Sequence, residues 1–563
     1  MSILEYFEYI SAPRVVFGAG SIDQVGRIAA KLKLSKPLLM IDGFFASAGL
    51  IEKIKTSLEA EGLALAGAMT DIPQDSGIDV VRRGYEQAKA AGADGIIALG
   101  GGSVIDTAKG ARIMMSEGGV LPEGLNVLKG DAPPLIAIPT TAGTGSEATA
   151  AAVIKDRTRN LKISFSDPAI MPSAAILDPE LTMSMPASVT AGTGMDALAH
   201  AIESLHSTNN QLISEGNALQ AVKLIFRSLP AAVHNGADAA ARGEMLLASF
   251  CAGTAFSNTL VGIVHAAAHA CGAECGTPHG TTCGLLLAYG MEFNLEKSEG
   301  AYAAAAVAMG AAAPGMNQRD AAVAAIRAVR ALTKKIGLPQ SLKEAGIAES
   351  SIPALVEKAL MDGTMFTNPV QPDEESMSDF FRKAWNGEEP CAVTTAAETQ
   401  LSEATPPSPA PDSAIKTDDL SQEPQPAITL EGMYKVADKF ARKLFLNPKV
   451  TDQLQKSGIV VRFIYFNENW GDEEAVLTVD CSADPIAIHL GKNDIEPVVS
   501  MRMHTETARL FWLQKVNIMS AISKGEIAVM GKVNEAMRLL PVIRPGFSLF
   551  KEMGEKKKEQ PDG

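Results

Sequence analysis

Gly95-Ile-Ile-Ala-Leu-Gly100-Gly-Gly-Ser103-Val-Ile-Asp-Thr-Ala-Lys-Gly110 runs from a short apolar segment through three consecutive glycines into a helical pattern. Ile96 to Leu99 reads as a buried strand. The glycines let the backbone come close to an anion, and the free N–H groups and dipole at the helix start favour negative charge. A glycine triplet alone also fits an ordinary tight turn. Working outward, Pro37-Leu-Leu-Met-Ile41 is another buried strand, ending at Asp42-Gly43, and residues 48–60 are helical. Leu63 to Met69 reads as a strand and 78–91 as an amphipathic helix with Arg82, Arg83 and Glu86 outward. This alternation predicts βαβ units and a parallel sheet.

Asp42, at the carboxyl end of its strand, is placed to accept hydrogen bonds from an adenosine ribose, which favours NAD over NADP. Gly18-Ala-Gly20-Ser lacks the third glycine of a dinucleotide fingerprint and reads as a turn. A second loop, Pro139-Thr140-Thr141-Ala-Gly143-Thr144-Gly145-Ser146-Glu147, follows the strand Leu135 to Ile138. It suits hydrogen bonding to a cofactor, or a polar turn that ends in a helix cap. Beyond Lys162 and the turn at Asp167-Pro168, residues 186–385 are strongly helical. Their Ala-rich stretch 301–313 reads as helix packing rather than function.

Six of the eight histidines lie between Gly192 and Gly280. Asp196 and His200 are four apart and share one helix face, and His265 and His269 repeat the spacing on another segment. His279 follows in a Thr-Pro-His-Gly turn. A carboxylate with imidazoles suits Zn2+ or Fe2+ better than Mg2+ or Ca2+, which prefer all-oxygen shells. Cys271 and Cys275 adjoin the histidines and invite a thiolate reading, but buried cysteines are mostly inert core. His206 and His234 read as ordinary helical histidines. Glu203, one turn beyond His200, reads as a solvated helix residue, the alternative being a group that orients a ligand.

The length of 563 residues calls for several domains, and 46% hydrophobic with 20% charged residues describes a globular chain. A net charge of -15 and a pI near 5.2 disfavour nucleic acid or anionic membrane as partner. Neither a signal peptide nor a membrane span is apparent, and six sparse cysteines without a Cys-x-x-Cys pair fit a reducing compartment, so a cytoplasmic location is expected.

From Asn386 to about Pro426 the composition turns to Pro, Ser, Thr, Ala and acidic residues, as in a flexible linker. A helix at 430–445 follows, then strand-like 459–466, 474–481 and 485–490, and Val499-Ser-Met501-Arg-Met503-His504 alternates with period two. Helices near 505–523, a short strand Ile527 to Gly531 and a last helix ending near Val542 complete the unit. Its methionines suit a lipid cavity or plain core packing.

Gly100–Gly110, Pro139–Glu147, Gly194-Met-Asp-Ala-Leu-Ala-His200 and the His265–His279 block together resemble the iron-containing (group III) alcohol dehydrogenases, over residues 5–385. The resemblance implies an α/β dinucleotide-binding (Rossmann-like) domain at 1–185 and an all-helical metal-binding domain at 186–385, with the active site between them. It implies Asp196, His200, His265 and His279 as metal ligands, with His269 as an auxiliary catalytic residue. Cofactor contacts fall to Asp42, Gly101, Gly102, Ser103, Thr140, Thr141, Thr144, Ser146 and Lys162. The metal is Fe2+ ahead of Zn2+, the cofactor NAD, the substrate an alcohol or aldehyde, and the assembly a homo-oligomer.

Met501-Arg-Met-His-Thr-Glu-Thr-Ala-Arg-Leu-Phe-Trp512 and the segment 524–537 resemble the sterol carrier protein 2 (SCP2) family. That resemblance implies, after the linker 386–427, a separate α+β lipid-binding domain at 428–550 and a charged tail at 551–563. Its ligand is a lipid or fatty acyl chain, and its role is to recruit apolar substrate. Competing readings are a lipid-transfer protein with a scaffold dehydrogenase half, a polyol dehydrogenase, or a dehydroquinate synthase-like lyase.

Overall fold

The computed structural model describes residues 9–11, 13–121, 124–125, 132–158, 161–391, 428–513, 516, 521–522, 526–531, 540–543 and 545–555. Most of the expected linker, much of the 524–537 segment and the end of the tail lie outside these.

The N-terminal part holds strands β1 (Arg14–Phe17), β2 (Leu38–Ile41), β3 (Gly67–Met69), β4 (Ile96–Gly100), β5 (Gly124–Leu125), β6 (Leu135–Pro139), β7 (Ala151–Asp156), β8 (Leu161–Ser166) and β9 (Ala174–Leu177). Its helices are α1 (Val25–Lys31), α2 (Gly43–Ser47), α3 (Leu50–Glu59), α4 (Ile78–Ala91) and α5 (Gly102–Ser116). Six strands form a parallel sheet in the order β1-β9-β6-β4-β2-β3. Successive residues point to opposite faces, and both faces are covered, which is why these strands are apolar throughout. Leu39, Ile41, Ile97 and Leu99 pack with Val25, Ile28, Ile54 and Leu58 of α1 and α3. Leu38, Met40, Ile96 and Ala98 pack with Val80, Ile105 and Ala108 of α4 and α5. The strand expected at 63–69 shortens to β3.

The chain leaves β2 toward β3 on one side, and β4 toward β6 on the other. The carboxyl ends of β2 and β4 therefore flank a switch point, the crevice where open α/β sheets bind ligands. Asp42 and the glycines after β4 stand there, joined by the Asp42 N–H donating to Leu99 O at 3.0 Å.

Helices α6 (Ala187–His206), α7 (Leu212–His234), α8 (Ala239–Thr259), α9 (Ile263–Cys275), α10 (His279–Met309), α11 (Gln318–Lys335), α12 (Ile352–Leu360) and α13 (Glu374–Asn386) share one apolar core, including Leu198, Ile202, Val222, Leu246 and Leu286. The Ala-rich helix stops at Met309 rather than 313, because Gly310 turns left-handed with φ 73°. Among the described residues no single helix is long and apolar enough to cross a membrane.

The C-terminal part contains α14 (Leu430–Leu444), α15 (Pro448–Ser457), β10 (Val460–Phe466), β11 (Ala475–Asp480), β12 (Ala487–Leu490), β13 (Val499–His504), α16 (Thr505–Trp512) and β14 (Ile527–Gly531). Met501 and Met503 are buried and Arg502 is exposed, as the alternation requires. A helix at Pro545–Glu555 crosses the boundary expected at 550. The C-terminal strands were expected to stand apart, yet they continue into the N-terminal part in the order β12-β11-β10-β13-β14-β5-β8-β7. Val529 pairs with Leu125 and Met530 with Gly124.

The cofactor-side and helical parts meet where Gly145 (φ 61°) crosses Gly253 of α8, and a Cβ on Gly253 would lie 2.7 Å from Gly145 O. Gly253→Ala is expected to destabilise the protein by about 1–3 kcal/mol through overpacking against rigid backbone. Urea unfolding measures this, and an unchanged midpoint would refute the contact.

Candidate active site

The glycine turn forms the N-terminus of α5. Gly101 is its N-cap and supplies no side-chain cap, so the first-turn N–H groups keep their capacity to bind an anion. A Cβ on Gly102 would come within 2.9 Å of Thr144 Cγ2, so glycine lets the hydroxyl-rich loop lie directly on the helix start. Thr141 lies beside Gly101, and Thr140 is buried, its N–H donating to Gly100 O at 3.1 Å. Ser103 Oγ accepts from the Asp75 N–H at 3.1 Å, and Thr144 Oγ1 from the Ser146 N–H at 3.3 Å. The buried Ser146 hydroxyl donates to Asp106, so it ties the loop to α5. Lys109 adds to this tie, donating to Thr149 Oγ1 at 2.9 Å and Ala151 O at 2.6 Å. Burial pushes Lys109 down to about 8 and Glu147 up to about 7. Asp42 caps α2, accepting from the Phe44 N–H at 2.9 Å. Lys162 sits on β8 opposite Lys155, and its side chain lies outside the described residues.

The loop reaches the helical part at Gly143, where a Cβ would meet Thr193 Cβ at 2.6 Å. Thr193 is one turn before Asp196 on α6. From that helix Asp196 faces His265 of α9 and His279 at the start of α10: its Oδ1 is 3.6 Å from His265 Nε2 and 3.4 Å from His279 Nε2. Asp196, His265, His279 and Cys283 each offer a ligand atom within 4.8 Å of the others. His200 stands beside this group rather than in it, its ring stacked on Phe256 at 4.1 Å and on His265 at 4.5 Å. His269 Nδ1 lies 2.9 Å from Asp362 Oδ2, and its ring stacks on His279 at 5.2 Å.

Glu203, read above as solvated, is fully buried and corrects that expectation. Its Oε1 accepts from the Val264 N–H at 2.7 Å and its Oε2 lies 2.5 Å from His265 Nδ1. With one ring proton held at Nδ1, Nε2 of His265, on the Asp196 side, is the nitrogen at which a cation would replace the second proton. Burial alone would lower the His265 pKa, but Glu203 and Asp196 outweigh it and raise it to about 10. Burial lowers His200 to about 3.

Two models of one family cover this architecture in succession. "Iron-containing alcohol dehydrogenase" matches residues 12–179, and "Fe-containing alcohol dehydrogenase family, C-terminal" matches residues 190–385. The 1,3-propanediol dehydrogenase of Citrobacter freundii is 35% identical over 385 residues, 67% of this chain and 99% of that protein. The NAD-dependent methanol dehydrogenase of Bacillus methanolicus is 34% identical over 374 residues, 66% of this chain and 98% of that protein. A crystal structure of 1,3-propanediol oxidoreductase superposes with a TM-score of 0.66 at 35% identity, covering 68% of this chain and all of that one. The chain belongs to the iron-containing alcohol dehydrogenase family.

In this iron-containing alcohol dehydrogenase the residues fit a divalent cation. Asp196 Oδ1, His265 Nε2 and His200 Nδ1 are buried without a hydrogen bond, each costing about 1–3 kcal/mol that a cation offsets. The nitrogen and oxygen donors suit iron or zinc.

Three residues were missed or misjudged from the sequence. Glu203 lies on a helix with almost no solvent face, Asp362 is 93 positions from His269, and Cys283 was passed over for Cys271 and Cys275. Its signal was available, since it follows His279 by four, the spacing of the other pairs. Cys271 is buried with its thiol pushed up to about 12 by desolvation, and Cys275 is exposed. His206 is a core histidine whose Nδ1 lies 2.7 Å from Tyr302 OH, and His234 is an exposed one.

Glu203→Gln is expected to weaken divalent-metal affinity about 10–100-fold, because Nδ1 of His265 loses its anionic partner. Competition against a chromophoric chelator measures it, and unchanged affinity would refute the role given to Glu203.

Proposed function

We propose that the protein is an NAD-dependent, metal-requiring alcohol dehydrogenase interconverting an alcohol and its aldehyde. The carrying observation is that α6 touches the hydroxyl-rich loop at Thr193 and, one turn on, presents Asp196 to His265 and His279. A phosphate cradle and a cation site thus share one wall of one cleft. Relatives named for methanol and 1,3-propanediol support a primary alcohol as the substrate class.

Asp196, His200, His265 and His279 hold the metal, and Glu203 holds the tautomer of His265. Gly101, Gly102 and Ser103 cradle the pyrophosphate and Asp42 takes the adenosine ribose, while Thr140, Thr141, Thr144 and Lys162 border the cofactor and Ser146 fixes their loop. When bound, the metal supplies Lewis acidity at the substrate oxygen and NAD exchanges the hydride. His269, its Nδ1 turned to Asp362, exchanges the substrate proton at Nε2.

The unit at 428–550 is proposed as an SCP2-like lipid binder that recruits apolar substrate. Phe366, on the turn directly after Asp362, packs against its core, so the unit touches the segment that orients His269.

Metal-loaded full-length protein is expected to reduce NAD with primary alcohols, followed at the NADH absorbance. A chain ending at Trp385, about the length of the relatives, is expected to lose efficiency selectively on long-chain alcohols. Equal long-chain activity in the two refutes recruitment, and no NAD reduction by either refutes the dehydrogenase reading. His269→Ala should slow turnover by about 10²–10⁴-fold with metal content unchanged. Loss of metal in that variant would make His269 a ligand instead.

A further inference from the structure

We propose that Phe366 is a specificity-determining residue, its ring meeting the hydrocarbon tail of a long-chain primary alcohol where that tail runs from the active site to the apolar core of the C-terminal unit. The inference rests on the dehydrogenase and recruitment readings above and adds the place at which the two parts share one substrate.

The turn that carries Phe366 lies between two apolar cores. Met365 is buried in the core of the helical part, and Phe366, the next residue, is half-buried against the core of the C-terminal unit. The turn spans Gly363–Thr367, with Asp362 as its cap. Asp362 Oδ2 lies 2.9 Å from His269 Nδ1, so one end of the turn stands at the active site. At about 2.0 Å per residue for a 3-10 turn, Phe366 follows about 8 Å further along.

Hydrogen bonds hold the turn to the start of α9. The Thr367 hydroxyl donates to Val261 O at 2.7 Å, and Asn368 Oδ1 accepts from the Ile263 N–H at 3.2 Å. The pairing of Val529 with Leu125 ties the C-terminal unit to the cofactor-side part as well, so two attachments keep its core beside the turn. A tail that leaves the metal site toward Phe366 passes from one apolar core to the other, and every methylene it buries there adds to affinity. Seams between parts of a chain, lined by aromatic and apolar groups, are preferred places for such ligands. A short alcohol ends before the turn and gains nothing from it. The family match ends at residue 385, so the core that Phe366 meets lies beyond that match.

The test measures NAD reduction by the metal-loaded full chain on ethanol, hexanol and decanol. Phe366→Ala is expected to lower kcat/KM about 10–100-fold more on decanol than on ethanol, with hexanol between, and Phe366→Leu to restore most of the decanol preference. An equal loss on all three alcohols means that the ring only supports its turn, and overturns the proposal. A wild-type chain-length profile in Phe366→Ala, with long-chain efficiency lost in the chain ending at Trp385, overturns the proposal and leaves recruitment standing. Failure of the wild type to reduce NAD with any alcohol overturns the dehydrogenase reading as well. A readout independent of turnover irradiates the metal-free full chain carrying Phe366→p-benzoylphenylalanine in the presence of decanol. Attachment of one decanol at that position, read by mass spectrometry, is expected, and its absence overturns the contact.

Discussion

The approach of α10 to α6 governs the site. At Gly192 and Gly280 the two backbones come so close that no side chain fits between them. This contact sets His279 and Cys283 opposite Asp196, with His279 Nε2 3.4 Å from Asp196 Oδ1 and 3.6 Å from Cys283 Sγ. The neighbouring contacts are of the same kind: Gly143 against Thr193 brings the hydroxyl-rich loop to α6, and Gly145 against Gly253 fixes it to α8. Glycine is used here for proximity as much as for backbone freedom, and the cleft is built where three such contacts converge.

Much of this was legible in the sequence, for physical reasons that differ by element. The parallel sheet announced itself because strands covered on both faces must be apolar throughout. Asp196 and His265 stood out because spacing by four puts them on one helix face with His200 and His269, and His279 because it follows them in a Thr-Pro-His-Gly turn. Glu203 was misjudged by the rule that exposes charged helix residues: α6 is buried on nearly every side from Thr190 to His206, so no polar face existed for it. Asp362 was invisible because its partner is distant in sequence and its turn looks like any capped turn. The β5–β14 joint was also unreadable, since Gly124-Leu125 is too short to carry a period.

The two halves of the cleft hold their side chains by different means. The cofactor side is shaped by backbone and by hydroxyls tied to charged side chains, Asp106 and the buried Lys109 among them. On the metal side, carboxylates face imidazoles, the buried Glu203 on His265 and the half-buried Asp362 on His269. A carboxylate on Nδ1 leaves Nε2 as the remaining ring nitrogen in both.

The buried atoms left without partners at Asp196, His200 and His265 have a consequence outside catalysis. A site that is costly when empty and satisfied when filled makes the cation a folding ligand, since whatever binds only the native state raises its population by mass action. At a free metal concentration 100 times the dissociation constant this amounts to about 2.7 kcal/mol, a large fraction of the net stability of an ordinary domain. Metal supply would then set how long each copy survives proteolysis as well as how fast it turns over, and starvation would thin the pool before it silenced the remainder.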